Sequence, residues 1–337
     1  YSDYIGVFAL GNAGDVSPIF SPKFFEHWIK KDDKEMIRRS RENGQKQYRE
    51  LTKGLENHGK KIEAVIDTEK VYVDFSCLKA DSEFIPPLYQ TPPYQTTPAC
   101  LGIAFLEGAE NAGISLPLKW LCQFLSSFIK VIEYSQSYFR SKIWRNEMIK
   151  KYHTQKPKFI FLEAGKKKVL GTSKIMDLVI PAMFDETIAF FKKIHKLGGC
   201  HENSWTQQIL PLQITFLGKT VLISLPGETS TKSGERIEKQ MLETLKGKSI
   251  ERVILTPYSN SYCGYITTPE EYEAQCYEGG HTVFGKWTLP CIQTELKKIA
   301  LEMLKTPEKI DLDKNLKPPR FSLRELRKRM YSQKNNG

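Results

Sequence analysis

The sequence has few of the residues that usually build a zinc site, and none of them at ligand spacing. It has seven cysteines but no Cys-x-x-Cys pair, and no His-x-His run among its histidines, which are His27, His58, His153, His195, His201 and His281. These spacings argue against a cysteine-based zinc site and favour solvated or capping roles for the histidines. The odd, scattered cysteine count is also unlike a dense disulfide framework and leaves one optional bridge open.

Long apolar runs are missing as well. The longest uncharged apolar run near the middle of the chain, Trp120 to Ile129, is far shorter than the roughly 20 residues that a transmembrane helix needs. No signal peptide is visible, but the chain opens on Tyr1 and enters the apolar stretch Tyr4 to Leu10 at once. This beginning predicts a chain that starts inside a domain, so the missing signal carries no information about compartment.

Acidic residues are outnumbered, since 50 lysines and arginines against 39 aspartates and glutamates leave a net charge of +11. Most of the excess is lysine spread over amphipathic segments, with local clusters at Lys166–Lys168 and Arg324–Arg329. Solvated lysine faces explain this pattern best, and contact with anionic lipid is an alternative. Nucleic acid is not an expected partner.

Helical and strand-like patterns mix along the whole length, which predicts one α/β domain whose mixed sheets are covered by helices. We expect this domain at residues 1–305, incomplete at its N-terminus, followed by a basic C-terminal tail at 306–337. The predicted strands are Tyr4–Leu10, two within Ile62–Phe75, Leu101–Leu106, Phe159–Leu162, a hairpin around Gly218-Lys219, and Arg252–Thr256. The predicted helices are Phe24–His58 with a break near Asn43-Gly44, Leu116–Tyr152, Ile175–Lys196, Ser233–Leu245, Pro269–Tyr277 and Thr288–Leu304.

A serine lies on a tight loop near the start of the chain, in Gly14–Pro18, which reads Gly-Asp-Val-Ser-Pro. The loop follows the predicted strand Tyr4–Leu10, so Ser17 would stand at the edge of a sheet with backbone amides nearby. That position suits a nucleophile. On spacing alone, a serine before proline is more often only a turn former.

A carboxylate and several tyrosines occupy loop-like segments later in the chain. Glu228 lies in Pro226–Thr229 at the end of an apolar strand, where Pro-Gly-Glu by itself is typical of an ordinary turn. The tyrosines that follow it predict a packing and hydrogen-bonding cluster. They are Tyr262, Tyr265, Tyr272 and Tyr277.

Together these segments resemble the neutral (non-lysosomal) ceramidases, which are zinc-dependent amidases that split ceramide into sphingosine and a fatty acid. The family carries Gly-Asp-Val-Ser-Pro-Asn and Pro-Gly-Glu-Phe-Thr-Thr, and this chain departs from the first motif at Ile19. A further match is Tyr72–Ser76, which reads Tyr-Val-Asp-Phe-Ser. The resemblance covers residues 1 to about 305 and corresponds to the C-terminal part of the catalytic domain, but Leu116–Tyr152 and Lys167–Ser204 do not match.

The resemblance implies roles for four residues and a Zn²⁺ cofactor. Ser17 matches the family's nucleophile, and Tyr277 matches a tyrosine that donates to the developing oxyanion. Glu228 and Tyr265 match zinc ligands. The family's two further histidine ligands and an arginine lie upstream of this match, so we expect the chain to be inactive alone. The resemblance also implies a secreted or membrane-surface protein whose partner is ceramide or a related N-acyl lipid.

Two alternatives stay open at this point: a non-catalytic homologue that still binds lipid, and an amidase of another N-acyl lipid on the same scaffold. A membrane surface is a further partner to consider. Leu116–Tyr152 combines aromatic residues with a rim formed by Lys119, Lys130, Arg140 and Lys142. This pattern fits either an interfacial helix or a helix packed on the domain's own core.

Overall fold

The computed structural model of the chain describes residues 9–17, 33–56, 65–108, 114–166, 168–171, 203–306 and 310–329. The predicted helix at 175–196 lies outside these residues, as does the predicted strand at 4–10 apart from its last two residues. Within the described ranges, no helix is both long and apolar enough to cross a membrane. The six cysteines in these ranges are all free thiols.

The described strands are β1 (Ile66–Asp74), β2 (Leu101–Gly102), β3 (Ile160–Glu163), β4 (Lys168–Val169), β5 (Ile209–Leu217), β6 (Thr220–Ser224), β7 (Glu228–Thr229), β8 (Arg252–Thr256) and β9 (Tyr265–Ile266). The described α-helices are α1 (Asp33–Glu56), α2 (Leu116–Gln136), α3 (Lys142–Gln155), α4 (Thr231–Thr244), α5 (Pro269–Ala274), α6 (Tyr277–His281), α7 (Thr288–Met303) and α8 (Leu323–Arg329). Short 3₁₀ turns occupy Ser82–Phe84 and Ile103–Glu107.

The main sheet has the order β1-β5-β6-β8 and is mixed, as the sequence predicts. The β1–β5 and β5–β6 pairs are antiparallel, and the predicted hairpin forms around Gly218-Lys219. Strands β6 and β8 are parallel, so they need a crossover, which α4 supplies. Alternate apolar side chains of these strands are buried, and α4 and α7 pack beside them in one hydrophobic core. The prediction of a single mixed α/β domain is therefore confirmed.

Several predicted elements differ from the structure. Helix α1 continues through Asn43-Gly44, since one glycine in an exposed helix costs only about 1 kcal/mol and Glu35 pairs with both Arg38 and Arg39. The two strands predicted within 62–75 are the single strand β1 over the described residues, because β5 offers it nine consecutive partners. The predicted strand Leu101–Leu106 ends at Gly102, where its register against β3 shifts and a 3₁₀ turn begins.

The predicted helical stretch Leu116–Tyr152 consists of two helices, α2 and α3, held together by a buried ion cluster. Lys151 on α3 donates from Nζ to Oε2 of Glu133 on α2 at 2.6 Å and to Oε1 of Glu163 on β3 at 3.1 Å. All three side chains are buried. The cluster therefore ties both helices to the small sheet β2-β3-β4.

Residues 310–329 lie against the rest of the domain. Leu312 packs on the hydrophobic core, and Lys314 pairs with Glu302 at 3.1 Å. On α8, Glu325 is buried and accepts a hydrogen bond from Asn203 Nδ2 at 2.9 Å. The division into a domain at 1–305 and a tail at 306–337 stays a prediction.

Candidate active site

The candidate site is built on the short parallel pair β7 and β9, which follows directly from the main sheet. The pairing places Glu228 opposite Tyr265, and the Glu228 amide donates to the Gly264 carbonyl at 2.8 Å. Gly264 has φ +85°, and a Cβ there would lie 2.6 Å from the carbonyl oxygen of His281. Only glycine allows β9 to approach α6 this closely, so Gly264 is needed for the geometry of the site.

The Glu228 carboxylate accepts hydrogen bonds from two tyrosines. Tyr258 Oη donates to Oε2 at 2.8 Å, and Tyr262 Oη donates to Oε1. The two rings stack with centroids 6.3 Å apart. Burial, and then the negative charge of Glu228, raise the pKa of both hydroxyls, so both remain proton donors at neutral pH.

Tyr265 and Tyr277 stand edge to face beside this carboxylate, with ring centroids 5.8 Å apart. Tyr277 also stacks on Phe105 at 4.9 Å, which fixes the orientation of its ring. Burial and then Glu228 raise the pKa of both tyrosines. Three of the four tyrosines predicted to cluster therefore do so, whereas Tyr272 is fully buried and its hydroxyl donates to the Gln155 carbonyl at 3.0 Å.

His281 lies beside Tyr265 and Phe105, where it is largely buried, although the sequence favours a solvated or capping role for it. It lies in the last turn of α6, and its ring centroid is 5.8 Å from that of Tyr265 and 4.4 Å from that of Phe105. Burial, and then the charge of Lys158, lower its pKa to about 4. The imidazole is therefore neutral at physiological pH, and its Nδ1 is buried without a hydrogen-bond partner among the described residues.

Lys158 is buried close to His281. Its side chain is buried, and Nζ donates to the carbonyls of Cys100 at 3.0 Å and Thr282 at 2.8 Å. It also lies over the Tyr272 ring, 5.0 Å from the centroid. Burial lowers its pKa to about 7. The sequence around Lys158 does not predict that it joins the Cys100 and Thr282 carbonyls, because these two residues lie far from it along the chain.

The loop that carries Ser17 is anchored to the segment next to Glu228. The Gly14 amide donates to the Thr229 carbonyl at 2.9 Å, and Thr229 Oγ1 donates to Asn12 Oδ1 at 2.8 Å. Asp15 Oδ1 accepts from both the amide and the hydroxyl of Thr231 at the start of α4, each at 2.8 Å. Ser17 itself is exposed. The loop that contains Ser17 and the Pro226–Thr229 segment, which the sequence analysis treats separately, are therefore in contact. The role of Ser17 stays a prediction.

The two zinc ligands that the resemblance implies, Glu228 and Tyr265, lie next to each other. Glu228 and Tyr265 are paired across β7 and β9, and carboxylate and phenolate oxygens are suitable donors for a divalent cation. Zinc normally needs three or four protein donors, and in the described part of the chain no three His, Cys, Asp or Glu side chains converge. Glu228 and Tyr265 alone provide fewer donors than a zinc site normally has.

We expect Gly14→Ala to detach the serine loop, whereas Gly11→Ala in the same loop should not. A Cβ at Gly14 would lie 2.8 Å from the Thr229 carbonyl oxygen, but one at Gly11 would have no atom within 4 Å. Amide hydrogen exchange checks this, since the residue-14 amide should lose its protection only in Gly14→Ala. Equal protection in both variants would contradict the docking of the loop.

Parts of this chain are similar in sequence to known proteins. Residues 192–294 match the family described as neutral/alkaline non-lysosomal ceramidase, N-terminal. Neutral ceramidase B of Dictyostelium discoideum is 44% identical over 98 residues, which are 28% of this chain and 14% of the relative. The neutral ceramidase of Oryza sativa subsp. japonica is 24% identical over 341 residues, covering 94% of this chain and 38% of the relative.

A solved structure shares the fold. The neutral ceramidase of Pseudomonas aeruginosa aligns with a TM-score of 0.55 at 22% identity, covering 91% of this chain and 39% of that chain. This chain thus spans well under half the length of each of these relatives. Residues 192–294 therefore resemble the neutral/alkaline non-lysosomal ceramidases in sequence, and most of the chain shares the fold of a solved neutral ceramidase.

Proposed function

We propose that this chain supplies part of an amidase site that splits ceramide into sphingosine and a fatty acid. This part consists of the serine loop, Asn12–Ser17, and the tyrosine wall, which is Glu228 with Tyr258, Tyr262, Tyr265 and Tyr277. The observation that carries the proposal is the docking of the Asn12–Ser17 loop on β7, through the Gly14 amide and the Thr229 carbonyl, beside Glu228. Because the chain spans a minor part of its relatives, the activity is proposed for the whole protein that contains it.

In the proposed reaction, Ser17 Oγ forms a bond to the amide carbonyl carbon of the N-acyl lipid. The C–N bond then breaks, the amine leaves as sphingosine with the proton that Ser17 gives up, and the acyl group remains as a serine ester. Water cleaves this ester, which releases the fatty acid and restores the hydroxyl. The exposed position of Ser17 leaves it accessible to a substrate.

Tyr277 is suited to stabilise the oxyanion that forms during the attack. Its raised pKa keeps the phenol protonated at neutral pH, and its stacking on Phe105 holds the ring in place. A fixed donor directed at developing negative charge stabilises the transition state without reorganisation. Tyr258 and Tyr262 hold the Glu228 carboxylate through one hydrogen bond to each of its oxygens.

Glu228 and Tyr265 would hold the zinc ion that this family resemblance implies. A bound zinc ion supplies a Lewis acid for the amide carbonyl. The Tyr258 and Tyr262 hydroxyls occupy both Glu228 oxygens, and they orient the carboxylate as outer partners of metal ligands commonly do.

The 337-residue chain by itself should bind zinc weakly and show no ceramidase activity, because two oxygen donors without imidazole make a weak zinc site. Zinc content after dialysis, measured by atomic spectroscopy, checks this, with Glu228→Gln as the matched variant that removes one donor. A stoichiometric, tightly held zinc ion in the wild-type chain would mean that the described and remaining residues contain a full ligand set. His281 would then be the first ligand to test.

The substrate class is tested with the whole protein and a panel of N-acyl lipids. We expect ceramide to be hydrolysed faster than lipids with another amine part. Activity confined to another N-acyl lipid would replace ceramide as the substrate. Lipid binding without hydrolysis of any member, in the presence of zinc, would instead identify a non-catalytic homologue.

A further inference from the structure

The outward face of α2 is apolar and exposed along its whole length. Cys122 and Glu133 lie on the inward face and are buried. The outward residues follow the spacing i, i+1, i+4, i+8, i+11 and i+12, which places them on one side of a helix. They are Trp120, Leu121, Phe124, Phe128, Val131 and Ile132, and all are exposed, Trp120 by 65% and Phe124 by 66%.

The same apolar surface continues through the turn after α2 and into α3. Tyr138 is 79% exposed, Phe139 92% and Ile143 74%. Single exposed apolar side chains are common, but a contiguous set of this size marks an interaction surface. Among the described residues, the inward face of this segment packs on the domain and the aromatic face is exposed.

The charges around this surface are almost all of one sign. Residues 116–145 contain five basic side chains, at Lys119, Lys130, Arg140, Lys142 and Arg145, and a single carboxylate, Glu133. Glu133 is buried against Lys151 and contributes nothing to the outward surface. Lys119 pairs with Glu107 at 2.8 Å, so the positive charge around this apolar surface lies mainly at Lys130, Arg140, Lys142 and Arg145.

We propose that α2 and the turn that follows it lie on the surface of an anionic bilayer. The aromatic face would enter the interfacial region, and Arg140 and Lys142 would contact lipid phosphate and carboxylate groups. Charge favours this partner over a second copy of the chain, because the chain carries +11 and would oppose cationic edges with more positive charge. The inference concerns binding alone and holds whether or not the proposed reaction is correct.

Sedimentation of the protein with lipid vesicles tests whether the basic residues bind anionic lipid. The vesicles contain phosphatidylcholine alone or phosphatidylcholine with phosphatidylserine. We expect binding to the anionic vesicles, weakened by salt, and a loss of at least about 25-fold in Arg140→Glu/Lys142→Glu, since each basic residue near such a surface contributes roughly a factor of five. Lys239→Glu/Lys246→Glu makes the same change of charge at exposed positions on and just after α4 and serves as the control. Equal losses in both double variants, or equal binding to both vesicle types, would overturn the proposal.

The double variant Trp120→Ala/Phe124→Ala tests whether the aromatic face of α2 binds the membrane. Because both side chains are mainly exposed, we expect this variant to keep the thermal stability of the wild type but to bind anionic vesicles more weakly. Lower thermal stability with unchanged vesicle binding would show that another segment of this chain covers the face. A concentration-dependent dimer that the same substitutions dissociate would show that a second copy does, and either result would overturn membrane docking.

Discussion

Ser17→Ala in the whole protein is expected to lower kcat for ceramide hydrolysis by at least about a thousandfold, because loss of a covalent nucleophile usually costs several orders of magnitude. Folding should be unaffected, since the Ser17 side chain is exposed and the loop is anchored through Asn12, Gly14 and Asp15. Steady-state hydrolysis of ceramide, with circular dichroism as the check on folding, measures both effects.

The matched control is Ser249→Ala, which removes an exposed serine from the turn before β8. We expect this variant to retain wild-type kcat and stability. Retention of even a tenth of wild-type kcat by Ser17→Ala would mean that another group attacks the amide. The loop would then be an anchor for β7 and α4 rather than the carrier of the nucleophile.

Lys151→Met is expected to destabilise the fold by about 3–5 kcal/mol, because it leaves the buried carboxylates of Glu133 and Glu163 without a counter-charge. Burial opposes the charged form of Lys151, but the charges of Glu163 and Glu133 outweigh it and raise the pKa of the lysine. A lysine with a raised folded-state pKa stabilises the fold below its unfolded pKa, and this contribution disappears as the pH rises through the folded value. The effect should therefore be fully present at neutral pH and be lost only in strong alkali.

Urea unfolding of Lys151→Met and Lys166→Met separates a buried from an exposed ion pair. Lys166 pairs with Glu147 at 2.8 Å, and both side chains are largely exposed, so its loss should cost less than about 1 kcal/mol. Similar losses in the two variants would show that the Lys151 cluster is solvated in solution. It would then not hold α2 and α3 on the sheet.

The sequence predicts most of the fold because most of its signals are local. Alternating apolar residues on either side of Gly218-Lys219 indicate the hairpin that joins β5 and β6, and the helical spacing of α4 and α7 is equally clear. Errors occur where neighbouring elements decide the outcome. Gly44 is tolerated inside α1 because one glycine in an exposed helix costs only about 1 kcal/mol, and the strand at Leu101 stops because its pairing with β3 shifts.

The sequence predicts which residues belong to the candidate site, but it does not predict how they contact each other in space. The resemblance picks out Ser17, Glu228, Tyr265 and Tyr277, and the structure brings the serine loop and the tyrosine wall to β7. The hydrogen bond from Tyr258 to Glu228 depends on a left-handed backbone, with φ 59° at Tyr258, for which the sequence gives no clear sign. The two carbonyls that Lys158 joins come from separate elements, and no local pattern predicts such a contact.

The central claim is that the docked loop presents Ser17 as the nucleophile of an amidase. The most direct test is a rapid-quench experiment on the whole protein with excess ceramide, followed by mass spectrometry of the peptide that contains Ser17. We expect sphingosine to appear before fatty acid and the missing acyl group to be esterified to Ser17. An acyl group on another residue, or release of both products in step with Ser17 never acylated, would contradict the central claim.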